Sequence, residues 1–96
     1  MNLQSFIKSI TETTLPVGMT IYLQSLWYDG KGNWEKSHEL IQELEDKTAA
    51  RIHAYLHRKE GDQWNADYWY QRAGKKRPST SFNQEWEELV TELLLV

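Results

Sequence analysis

No cysteine occurs among the 96 residues. That excludes disulfides, thiol catalysis and cysteine-ligated zinc. Residues Met1 to Thr14 lack a basic region followed by a long apolar run, so a secretory signal is not expected. No stretch reaches the roughly 18 apolar residues of a membrane span. By elimination the expected setting is cytoplasmic, without membrane contact. Basic excess is missing too: the net charge is −3, which does not favour nucleic-acid binding. No segment sustains the period-two alternation of a half-buried strand. Also absent are a Ser–His–Asp order, a paired-carboxylate signature and a phosphate loop, since Gly30-Lys31-Gly32 lacks the Walker spacing. No catalytic residue and no cofactor is assigned.

What is present is ordinary globular composition, 40% apolar and 26% charged, with five Trp and five Tyr. A chain this size buries only about two-thirds of the surface its unfolded form exposes. Large aromatics raise the area buried per residue. Charge is unevenly placed. Residues 51–77 carry seven Lys/Arg against three acids, a net of +4, and the remainder carries a net of −7.

The five glycines and two prolines act as punctuation between apolar stripes at helical spacing. Leu3, Phe6, Ile7 and Ile10 read as a short helix ending near Thr13. Pro16 suits the first turn of a second helix carrying Met19, Tyr22, Leu23, Leu26 and Trp27. Asn33 is the expected N-cap of a third, with Trp34, Ser37, Leu40, Ile41 and Leu44 on one face. Asp46 or Thr48 opens a fourth through Ala49, Ile52, His53 and Leu56. Asp62 caps a fifth through Ala66, Trp69, Tyr70 and Ala73, and Gly74 ends it. Ser81 and Gln84 suggest a capping box for a sixth through Phe82, Trp86, Leu89, Val90 and Leu93. The expectation is one all-α domain, 1–96, of about six helices. Two antiparallel hairpins, about 17–45 and 48–75, lie between capping helices.

The hairpins repeat. Aligning Gly32 with Gly61 gives an offset of 29 residues and pairs Ser37 with Ala66, Ile41 with Tyr70 and Leu44 with Ala73. Ala66, Tyr70, Ala73 and Pro78, after the Gly61-Asp62 turn, make 50–78 resemble the tetratricopeptide repeat. His53, Ala54 and His57 depart from that family's first helix, and the offset is shorter than its usual 34 residues. The resemblance implies a helical-repeat groove that accepts a peptide. The strings from His53 to Asp62 and from Asn65 to Gly74 also resemble a group of small bacterial proteins, a likeness that carries no activity over.

Two clusters are candidates for function. In the repeat family the flank of the first helix lines the groove. Here it holds Arg51, Tyr55, Arg58 and Lys59, with Tyr68 and Arg72 nearby. Arginine forks suit carboxylate or phosphate, unless Glu85, Glu87, Glu88 and Glu92 of the last helix neutralise them. The other cluster is His53 and His57, at i and i+4, with His38 on the preceding helix. These three either hydrogen-bond within a helix interface or ligate a metal. Asp29 either orients an imidazole of His38 or His53 for acid–base work or makes a structural hydrogen bond. The favoured function is a protein-interaction module taking a peptide, an acidic segment or a second protomer. The runner-up is a small enzyme or a metal- or ligand-binding protein built on the histidines, and the metal content of the purified protein separates the two. Trp64 falls out of register with the core and is expected half exposed. Leu93 to Val96 cannot all lie on one helical face, which suggests a homodimer through the last helix.

Overall fold

The computed structural model describes residues 1–12 and 14–95. Six helices follow in order: α1 Leu3–Ile10, α2 Ile21–Gly30, α3 Trp34–Ile41, α4 Lys47–Lys59, α5 Gln63–Ala73 and α6 Phe82–Leu94. No strand occurs among the described residues, and no helix is long and apolar enough to cross a membrane. Each helix opens on a polar cap. The side chains of Asn2, Thr20, Asn33, Asp46, Asp62 and Ser81 each accept a backbone N–H from the first turn. These groups satisfy donors that the helix itself leaves orphaned.

The two hairpins, α2–α3 and α4–α5, share one turn. Gly32 and Gly61 sit at φ +87° and +90°, which costs glycine little and other residues much. Around them the same bonds form. Asn33 N–H reaches the Tyr28 carbonyl and Asp62 N–H reaches the His57 carbonyl, both at 2.9 Å. Gly32 N–H bonds Asp29 and Gly61 N–H bonds Arg58. This is a Schellman closure of one helix whose next residue caps the following helix. The offset of 29 therefore holds atom by atom through the turn. Small residues then let each helix pair approach. Ser25 and Ser37 share a buried hydroxyl hydrogen bond of 2.9 Å. At the matching positions Ala54 packs on Ala66 with both fully buried.

Phe6, Leu23, Leu26, Trp27, Ile41, Ile52, Leu56, Trp86, Leu89 and Val90 form the main core. It unites α1, α2, α3, α4 and α6. Tryptophan N–H groups are satisfied inside it: Trp86 donates to the Leu26 carbonyl at 3.0 Å and Trp34 to the Leu56 carbonyl at 2.8 Å.

Three boundaries differ from the sequence expectation. Helix α2 starts after Thr20 and not at Pro16, because Gly18 at φ +86° interrupts any helix there. Helix α3 stops at Ile41, so Leu44 lies in the turn beyond it, whereas its counterpart Ala73 ends α5. Helix α1 ends at Ile10; Thr13 lies outside the described residues. At the far end Leu93 and Leu94 pack on the main core. Leu95 is exposed, and Val96 lies outside the described residues. The described part of the tail therefore offers one free leucine to a second chain.

The Ala54–Ala66 contact predicts a measurable penalty. Ala66 has no exposed surface, so Ala66→Leu overpacks the α4–α5 crossing. The expected loss is about 1–3 kcal/mol in urea unfolding; an unchanged midpoint would contradict the crossing.

Candidate functional site

Helix α4 presents two opposite faces, since residues four apart stack while those two apart diverge by about 160°. Arg51, Tyr55, Arg58 and Lys59 share one face. His53 and His57 share the other.

The cationic face is occupied from within. Tyr55 is buried, at 1% exposure, so it is a core residue and not a groove wall. Its hydroxyl donates to Asp29 at 2.5 Å, and Lys59 Nζ meets the other Asp29 oxygen at 3.0 Å. Asp29 thus orients no imidazole. Arg58 donates to Glu85 at 2.7 Å, and Tyr70 donates to the second Glu85 oxygen at 2.6 Å. Arg51 pairs with Glu92. Glu85 and Glu92 of α6 therefore take up the arginines, as the alternative reading of the sequence anticipated. Glu87 and Glu88 are not among these contacts. Beside this face lies a cavity of about 790 Å³ walled by Ile7, Ile10, Phe82 and Trp86, with Asp29, Tyr55 and Lys59 also in its lining. The histidines do not line it.

On the opposite face the three histidines converge. One ring nitrogen of each of His38, His53 and His57 lies within 4.8 Å of the others. His38 Nε2 and His53 Nε2 are 2.9 Å apart. Hairpin α2–α3 supplies His38 and hairpin α4–α5 the other two, so the cluster straddles the joint between repeats. Tryptophans bracket it. The Trp34 ring stacks on His38 at 4.9 Å and Trp69 stacks on His53 at 4.0 Å. His57 Nδ1 is 2.8 Å from Glu60 Oε1. With Nδ1–H donating to that carboxylate, Nε2 keeps a free lone pair.

Burial fixes the charge state. His53 is 6% exposed, and its pKa falls to about 3, first through burial, then through His38, His57 and Arg72. His38 is also lowered, by burial and by His57. Near neutral pH both are therefore uncharged nitrogen bases, and one neutral ring donates to the other. Uncharged imidazoles are also the form that binds metals. Two nitrogens about 2.0–2.1 Å from a tetrahedral ion stand about 3.3 Å apart. The His38–His53 pair needs an opening of only a few tenths of an ångström to reach that spacing.

Tyr68 and Arg72 belong to neither face of α4. They lie on the outer side of α5, where Trp64 is 78% exposed rather than half exposed. Sequence reasoning missed Glu60, although its i+3 spacing from His57 is a legible signal. It also missed Trp69 over His53, which no local spacing encodes. No family model, curated protein or solved structure matches the chain.

The low His53 pKa makes stability depend on pH. Between about pH 6.5 and 3 the unfolded chain binds a proton that folded His53 refuses. This contribution is complete above about pH 6.5 and is lost progressively as pH falls through that window. For metal-free protein the slope should approach about 1.4 kcal/mol per pH unit for each histidine held neutral. Urea unfolding from pH 7 to 5 checks this. His53→Gln should flatten the decline, and a flat wild-type profile would contradict it.

Proposed function

We propose that this domain binds a divalent d-block metal ion of the zinc class through His38, His53 and His57. The observation that carries the reading is the convergence of three imidazole nitrogens at the joint of the two hairpins. The donor set supports it: nitrogen ligands suit zinc, copper and nickel, and oxygen-preferring magnesium and calcium do not suit them. The Glu60 carboxylate on His57 supports it as well, because an outer acid of this kind fixes the tautomer and raises ligand basicity. Three protein nitrogens leave one position of a tetrahedral ion for water or an anion. Catalytic zinc sites share that arrangement, whereas structural ones are closed. Because the ligands come from both repeats, the ion also ties one hairpin to the other. Peptide binding along α4, the favoured reading of the sequence, loses its support where Tyr55, Arg51 and Arg58 are internally engaged.

Zinc titration tests the proposal. One equivalent should bind, and at a hundredfold excess over Kd the folded state should gain about 2.7 kcal/mol by linkage. His53→Ala and His57→Ala should each abolish the gain. Stabilisation that survives both substitutions, or none in the wild type, would overturn the assignment.

A further inference from the structure

Among the described residues, the outer face of α5 carries two exposed aromatic side chains, Trp64 and Tyr68, in one line. Among the helices α5 packs on α4 alone, apart from the Tyr70 hydroxyl that reaches Glu85. Trp64, Tyr68 and Arg72 stand at i, i+4 and i+8 and so form one line along the helix. The Trp64 and Tyr68 rings lie nearly parallel, 9° apart, with centroids at 6.3 Å. The Arg72 guanidinium sits 5.8 Å from the Tyr68 ring centre and 4.8 Å from that of Trp69. Trp64 and Tyr68 are 78% and 45% exposed. Water contact on this scale is costly for a tryptophan at a position where smaller polar residues would serve. Tryptophan, tyrosine and arginine are also the types that dominate binding hot spots.

Charge identifies the occupant. Arg72, Lys75, Lys76 and Arg77 follow the ladder, all exposed. Arg77 pairs with Asp67 at 3.2 Å. Arg72, Lys75 and Lys76 meet no carboxylate among the described residues. The rest of the chain is acidic, so a long polyanion such as single-stranded nucleic acid is repelled as it leaves the patch. A short segment is not: α5 spans about 16 Å, the reach of roughly five extended residues.

We propose that the outer face of α5 docks an acidic peptide segment of another protein, its apolar side chains on Trp64 and Tyr68 and its carboxylates on Arg72, Lys75 and Lys76. This surface borders the histidine cluster through Arg72 and Trp69, and docking on it does not depend on a metal there.

The test uses a short labelled peptide of glutamate and aspartate carrying two leucines, with full-length protein in chelator so that metal plays no part. Saturable binding that weakens with salt is expected. Trp64→Ala and Arg72→Ala should each weaken it at least about tenfold with melting temperature unchanged. A control peptide with glutamine and asparagine at the acidic positions should not bind. Equal binding of the two peptides, variants that bind like wild type, or no binding up to millimolar peptide would overturn the proposal. So would tighter binding of single-stranded RNA, or self-association of the protein that Trp64→Ala abolishes.

Discussion

Two buried carboxylates set the orientation of everything around α4. Asp29 and Glu85 are 3% and 2% exposed, and each is shared between a tyrosine hydroxyl and a cation. Tyr55 and Lys59 hold Asp29; Tyr70 and Arg58 hold Glu85. An isolated buried carboxylate is prohibitively costly, and removal of Arg58 from its buried pair with Glu85 costs about 3–5 kcal/mol. Three of the four partners stand on α4, so these bonds fix the rotation of that helix between α2 and α6. They also push the tyrosine pKa values up, first through burial and then through the adjoining carboxylates. The phenols therefore remain neutral donors.

With one face of α4 clamped, the other has no freedom either. His53 and His57 must point away from α6, toward α3 and α5. The repeated turn then places α3 so that His38 enters the same space. The cluster is thus a product of the repeat joint and of the clamp, not of any local motif. Trp34 and Trp69 close it from two sides and supply the burial that keeps His38 and His53 uncharged. His38 and His53 share a hydrogen bond without an ion, and that pair is a few tenths of an ångström short of ligand spacing, while the His57 nitrogen lies within 4.8 Å of both.

The number of helices, four of their six caps and the shared turn were legible because each rests on short-range chemistry. Asn33, Asp46, Asp62 and Ser81 cap as their residue types require, and Gly32, Gly61 and Gly74 adopt positive φ. The start of α2 was misread because Pro16 is permitted in a first turn while Gly18, two residues on, is not helical. The identity of the site residues was half legible. The i, i+4 histidines appear in the sequence, but their meeting with His38 depends on how two hairpins pack. The internal engagement of two groove candidates was not legible for a related reason. Tyr55 and Arg58 look like surface residues by type, and only the approach of Asp29 and Glu85, 26 and 27 residues away, shows them to be internal.

Cobalt(II) in place of zinc reads the histidine site most directly. Three imidazoles and one solvent ligand around cobalt give strong visible absorption, whereas the hydrated ion is nearly colourless. The structure predicts that band to saturate at one equivalent and to disappear in His38→Ala, whose ligand comes from the other hairpin. A spectrum that stays that of hydrated cobalt, or a band that persists without His38, would contradict a metal held across the joint.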